Sequence, residues 1–344
     1  MRIPLPILFP KETRFFFLVG CMKSGTTWLM DVLDMHPEIV SRGEMHALEV
    51  LDNPASHALP TLESIASHSE TLHRWWSMPN SWWNVPFRDP AANVRAHRDL
   101  DYDFVRFFFE WTLLRYLQGM GQDMPKAIGD KSPSHSPYIG RKLNRYFGPY
   151  EPVVIHLVRD PRDVAVSRWF HLRKQQWEGG REFGAAFVDA ADRAACERLI
   201  RHPDHPTPKG ERFVNDPRFL VDVIREWVDV NGGLLGDGPR CFGERYVRVR
   251  YEDLKADFAS VIAPLLSALG VDASPERVRE MERANEEAKK AKKTTTFRKG
   301  LVGGWRQHLS PEEAAAFERA ADLGTALGYD LDSRNEEIRE GALT

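Results

Sequence analysis

Residues 14–37 read RFFFLVGCMKSGTTWLMDVLDMHP, and the fold turns on them. Phe15-Phe16-Phe17-Leu18-Val19 is a short apolar run of aromatic and β-branched character, which predicts a strand buried on both faces. Gly20 to Gly25 is a loop of small residues. From Thr26 the spacing becomes helical, with Trp28, Leu29, Val32, Leu33 and Met35 on the apolar side and a stop near His36-Pro37. Strand, glycine loop and helix in this order bring loop N–H groups and a helix N-terminus onto an anion.

The loop departs from a standard P-loop in one informative way. Gly20 and Gly25 fit G-x-x-x-x-G-K-S/T, but Thr26 stands where the lysine belongs and the cation is Lys23, inside the loop. The phrase Cys21-Met22-Lys23-Ser24-Gly25-Thr26-Thr27-Trp28-Leu29 resembles the 5′-phosphosulfate loop of sulfotransferases, commonly P-K-S/A-G-T-T/S-W/L, with Met22 where proline is usual.

Composition narrows the class. At 344 residues, 42% hydrophobic and 28% charged, the chain suits an ordinary globular protein with one large α/β domain or two small ones. A formal net charge of −3 argues against general nucleic-acid binding, so its basic residues act locally. Cys21, Cys196 and Cys241 are widely separated, with neither zinc spacing nor a disulfide framework, which suggests reduced thiols and a cytoplasmic protein. No stretch has the length of a membrane span.

Other phrases follow in the order of the sulfotransferase family. Val153 to Val158 is a second β-branched strand, running into Arg159-Asp160-Pro161-Arg162-Asp163 and a helix carrying Ser167. This looks like the family's 3′-phosphate motif, in which the positions of Arg159 and Ser167 hold that phosphate; a planar guanidinium suits phosphate oxygens. From the residues alone, an ion pair of Arg159 with Asp160 or Asp163 is the alternative. Tyr251-Glu252-Asp253-Leu254 is similar to a family phrase whose tyrosine lies near adenine. Phe297-Arg298-Lys299-Gly300, continuing to Gly303, Trp305 and Arg306, resembles the R-K-G-x-x-G-x-W-K/R loop that closes over the 3′-phosphate.

Two candidates for the chemistry come from the resemblance. Glu44, after the His36-Pro37 turn, matches the glutamate that carbohydrate and tyrosyl sulfotransferases use as base; His46 and His135 are its rivals. Lys131, in Lys131-Ser132-Pro133, matches a lysine that reaches the sulfuryl group or its acceptor, and here no histidine stands two residues later as in the K-T-H phrase of the cytosolic enzymes. Trp28 either stacks on adenine or is a core residue, and the pairs Trp75-Trp76 and Trp82-Trp83 either line an acceptor cleft or pack under a loop.

The remaining elements predicted are a buried helix over 102–116, a weak strand over 126–130, a helix over 219–235 stopped by Gly232-Gly233, an outer strand over 246–250, and helices over 261–269, 275–293 and 310–327. With no repeat or linker, the reading is one α/β P-loop-like domain over residues 10–332. It has a short, mainly parallel central sheet flanked by helices, and residues 333–344 form a polar tail. The resemblance implies sulfuryl transfer from 3′-phosphoadenosine-5′-phosphosulfate (PAPS), leaving PAP, to a small-molecule, glycan or lipid hydroxyl or amine, with no metal. Lys23, Glu44 and Lys131 would be catalytic. Lys23, Ser24, Gly25, Thr26, Thr27, Trp28, Arg159, Ser167, Tyr251, Phe297, Arg298, Lys299 and Gly300 would bind PAPS. A P-loop kinase and a non-catalytic nucleotide-binding protein are the alternatives; the first lacks an evident strand-end aspartate for magnesium.

Overall fold

A computed structural model describes residues 12–43, 110, 113–121, 123–134, 136–177, 190–202, 205–207, 213–214, 217–291 and 300–332. Among them five strands form one sheet in the order β2-β3-β1-β4-β5: β1 Arg14–Cys21, β2 Ile39–Gly43, β3 Ala127–Ser134, β4 Val153–Val158 and β5 Tyr246–Arg250. Every ladder is parallel. The helices are α1 Thr26–Leu33, α2 Ile139–Phe147, α3 Pro161–Trp177, α4 Ala190–Arg201, α5 Pro217–Phe242, α6 Tyr251–Ala256, α7 Phe258–Leu269, α8 Pro275–Ala291, α9 Pro311–Ala315 and α10 Ala321–Leu327.

The apolar run of β1 is buried on both faces, as its composition predicts. Phe15, Phe17 and Val19 enter one core cluster with Phe147, Trp227 and Phe317. Phe16 and Leu18 enter the other with Leu29, Val32, Leu33 and Leu266. Each such side chain contributes about 1.5–3 kcal/mol on burial, and β4 likewise feeds both clusters, with Val154 and Val158 in the first and Val153, Ile155 and Leu157 in the second. β1 and β4 were legible because buried parallel strands are continuously apolar.

Other boundaries differ from the sequence reading, each for a physical reason. β2 had no strand signal, because five residues after a His-Pro turn carry little pattern of their own; its pairing with β3 supplies the order. β3 runs past Asp130 through Lys131 and Pro133. Its ladder to β2 ends at Gly43–Lys131, so Pro133 falls where β3 pairs with β1 alone among the described residues. Helix α5 continues through Gly232-Gly233 to Phe242. Gly233 and Gly238 permit close packing inside the helix: a Cβ on Gly233 would lie 1.9 Å from the Pro137 carbonyl oxygen, and one on Gly238 2.3 Å from the Tyr246 ring. The apolar helix expected over 102–116 is described only at 110 and 113–120, where it is helical. The helix expected from Ser310 opens with the predicted cap, a complete capping box between Ser310 and Glu313, but residues 316–320 tighten into a 3₁₀ turn between α9 and α10.

His156 is a buried polar position inside β4. Asn231 donates its Nδ2–H to the Trp227 carbonyl at 2.7 Å, so its Oδ1 faces His156 Nε2 at 2.9 Å as an acceptor. The imidazole is then the neutral Nε2–H tautomer, with Nδ1 accepting from the Tyr246 hydroxyl at 2.7 Å. Burial lowers its pKa from 6.5 to about 4. Because the folded value is the lower one, the unfolded state takes up the proton first, so stability is full above the unfolded value and is lost as pH falls from there toward the folded one. Urea unfolding should show roughly 2 kcal/mol lost between pH 7 and 4.5 that His156→Gln does not lose; parallel pH profiles for the two proteins would refute the assignment.

Candidate active site

Parallel pairing places the carboxyl ends of all five strands along one edge of the sheet, where ligand crevices form in open α/β folds. The chain leaves β1 toward β2 and β3 on one side, and later crosses to β4 and β5 on the other. The loop after β1 therefore stands where the strand order diverges. On this edge lie Met22 to Gly25 after β1, Arg159 after β4, Tyr251 after β5, and Lys131 near the end of β3.

The loop after β1 is wound tightly. The Ser24 N–H and hydroxyl both donate to the Cys21 carbonyl oxygen, at 3.1 and 2.6 Å. Ser24 is fully buried and closes the turn with both donors. Lys23 takes φ 69° and Gly25 φ 101°. Gly25 is the N-cap of α1 and gives the helix no side-chain cap, which leaves the first turn, Thr26 to Trp28, suited to an anion. The backbone at Gly25 also touches the Tyr251 ring: a Cβ there would sit 2.6 Å from Tyr251 Cδ2.

Arg159 ties two loops together. Its guanidinium donates to the Lys23 carbonyl at 3.3 Å and to the Leu301 carbonyl at 3.1 Å, and it lies over the Tyr251 ring at 4.3 Å. Its Nε is buried with no hydrogen-bond partner among the described residues. The alternative of an ion pair with its neighbours is not what forms: Asp160 pairs with Arg162 at 2.8 Å, and Asp163 accepts from the Gly303 and Trp305 N–H groups at 2.8 and 2.9 Å. Burial pushes the Asp163 carboxyl up to about 6, against the opposing pull of Arg159. Ser167 follows Asp163 by one turn of α3 and is half-buried.

Tyr251 opens α6 and does not end β5. Its hydroxyl donates to the Gly300 carbonyl at 3.0 Å, and burial pushes its pKa up to about 12. Trp28 meets the Tyr251 ring edge-on at 5.3 Å, donates its indole N–H to Asn285 at 3.0 Å, and carries the Lys255 ammonium 4.6 Å from its ring centroid. Lys131 is nearly buried and donates to the Thr27 hydroxyl at 3.2 Å. Cys21 packs against Glu226, and burial raises its thiol pKa; Cys21 and Cys241 are free thiols.

The structure thus brings together Lys23, Ser24, Gly25, Thr26, Thr27, Trp28, Lys131, Arg159, Tyr251 and Gly300. Glu44, His46, His135, Phe297, Arg298, Lys299 and the paired tryptophans lie outside the described residues. Sequence reasoning missed Asp163 as a backbone anchor, Glu252 and Asn285. Glu252 accepts from the Asp160 N–H at 3.0 Å and from the Tyr329 hydroxyl at 2.7 Å, bracing the start of α3. A signal for Asp163 was present in its spacing of four from Arg159, but not the identity of its partners.

Gly25→Ala should destabilise the fold by about 1–3 kcal/mol, since the left-handed backbone and the Tyr251 ring both oppose a Cβ. Chemical denaturation measures this, and an unchanged midpoint would mean that the loop does not have this conformation.

A family model described as Sulfotransferase domain matches residues 14–328. No curated protein matches the chain. Among solved structures, the chain is similar to mouse sulfotransferase SULT7A1 complexed with PAP, at 16% identity over 92% of this chain and 88% of that one, with a TM-score of 0.45. It is also similar to a sulfotransferase from Alicyclobacillus acidocaldarius, at 17% identity over 92% and 96%, TM-score 0.45. A third is sulfotransferase STF9 from Mycobacterium avium, at 15% over 94% and 79%, TM-score 0.46. The family match begins at the first residue of β1 and ends at Gly328, which caps α10; the chain belongs to the sulfotransferase domain family.

Proposed function

We propose that this sulfotransferase-domain protein transfers the sulfuryl group of PAPS to an acceptor hydroxyl or amine. The observation that carries the donor reading is Arg159: a buried guanidinium between the phosphate loop and the segment after Arg298-Lys299, with an Nε that lacks a partner among the described residues. A doubly phosphorylated nucleotide fits such a donor set, because each phosphate requires charge and N–H groups of its own. PAPS supplies the sulfuryl group and a PAP leaving group. Among the described residues no group of three or more His, Cys, Asp or Glu side chains is placed to hold a metal ion.

In this reading the N–H groups of the first turn of α1 and Lys23 receive the 5′-phosphate and balance the charge that grows on it as the S–O bond breaks. Arg159, Ser167, Arg298, Lys299 and Gly300 hold the 3′-phosphate, with Phe297 beside them. Trp28 and Tyr251 face adenine. Lys131, whose ammonium is held by Thr27, steadies the sulfuryl oxygens. Glu44 takes the proton of the acceptor as its oxygen or nitrogen bonds to sulfur. Support for Glu44 comes from register: it follows Gly43, which pairs with Lys131. The acceptor is a small molecule, a glycan or a lipid. No described helix is long and apolar enough to cross a membrane, and the free thiols go with a cytoplasmic location.

Calorimetry should give metal-independent PAP binding. Arg159→Ala should weaken it by about 1.5–3 kcal/mol, while adenosine 5′-phosphosulfate, which lacks the 3′-phosphate, should be little affected. Magnesium-dependent ATP binding with none of PAP would overturn the donor assignment, and equal losses for both ligands would make Arg159 structural.

Glu44→Gln should keep PAP affinity and lower turnover by about 10²–10⁴-fold. His46→Ala and His135→Ala should cost much less. Turnover abolished by a histidine substitution but retained in Glu44→Gln would move the base to that histidine.

A further inference from the structure

The segment Gly300–Trp305 follows directly on Arg298-Lys299, yet ahead of Trp305 its side chains do little to hold it down. Leu301 and Val302 are 40% and 52% exposed, and the first fully buried large side chain is Trp305. Ahead of Trp305 its grip on the domain is through its backbone. The Gly300 and Leu301 carbonyls accept from Tyr251 and Arg159, and the Gly303 and Trp305 N–H groups both donate to Asp163, one to each carboxylate oxygen. Trp305 is further covered by the Arg162 guanidinium, 4.1 Å from its ring centroid.

We infer that Asp163 is a positioning residue for recognition of the donor's 3′-phosphate: its carboxylate fixes the backbone of Gly303 and Trp305, in the segment that follows Arg298-Lys299 in the sequence. The inference rests on the PAPS reading above. Asp163 lies in the first turn of α3, four residues after Arg159, and is 3% exposed. The phosphate arginine and the anchor of residues 300–305 are therefore set by the same turn of chain. A carboxylate beside an anion site is unfavourable by charge alone. Here both oxygens are occupied by N–H groups and the neighbouring Arg159 offsets the charge, so the acid organises the site without facing the ligand. Without the anchor, residues 300–305 must be ordered at the moment of binding, and that cost falls on the ligand with the 3′-phosphate.

The test is titration of wild type and Asp163→Asn with PAP and with adenosine 5′-phosphosulfate, combined with hydrogen exchange of residues 300–305. The asparagine offers one acceptor and turns an N–H₂ toward the second amide. Expected are an approximately tenfold or larger loss of PAP affinity, a change of less than about twofold for adenosine 5′-phosphosulfate, and faster exchange in 300–305 with β1 and β4 unchanged. Equal losses for the two ligands, or unchanged exchange in 300–305, would overturn the inference. Should Asp163→Asn fail to fold, Asp163→Glu, which keeps the charge but displaces both acceptors, carries the same expectations. A wild type that ignores PAP would sink the PAPS reading and this inference with it, whatever the variants do; PAP binding indifferent to the variants sinks the inference alone.

Discussion

Parallel pairing of β1 with a strand on each side is the constraint from which the site follows. A central strand flanked by parallel neighbours must be apolar throughout, and its neighbours must return by crossovers over the two faces. Both conditions are met by Phe15 to Val19, whose alternate side chains fill separate clusters on opposite sides of the sheet. Once all five strands point the same way, the loops that follow them share one edge, and the charged residues at strand ends have nowhere else to meet.

At that edge a chain of buried polar contacts takes over from apolar packing. The Trp227 indole donates to the Arg159 carbonyl at 2.9 Å, Glu252 receives the Asp160 N–H, and Arg162 donates to the Asp330 carbonyl at 3.0 Å. The R-D-P-R-D run is thereby held from α5, from α6 and from the segment after α10. A buried charge that lost its partner would be costly, so the network tolerates few arrangements. Such rigidity suits an anion site, where misplacing a donor forfeits much of its effect.

The same economy appears where Gly25 meets Tyr251. One ring packs against the phosphate loop, lies under Arg159, and reaches the Gly300 carbonyl through its hydroxyl. Three stretches far apart in sequence, ending β1, beginning α3 and preceding Trp305, are brought into register by a single side chain. Lys255 and Asn285 extend this contact to Trp28, so α6 and α8 are also referenced to the loop.

The sequence by itself determined β1, β4, β5, the glycine turn with Lys23 inside it, the capping of α9 by Ser310, and the arginine at the end of β4. These depend on local periodicity, capping and backbone conformation, which neighbouring residues specify. Tertiary structure decided what depends on distant partners. β2 exists because β3 supplies its ladder. Gly233 sits inside α5 because the Pro137 carbonyl occupies the space of a Cβ. Ser24 turns inward to Cys21, and Asp163 takes the amides of Gly303 and Trp305, 140 and 142 residues away in the chain. A carboxylate four residues after an arginine predicts an ion pair from sequence; in the fold, buried N–H groups had the stronger claim on it, since burial makes an unsatisfied amide expensive.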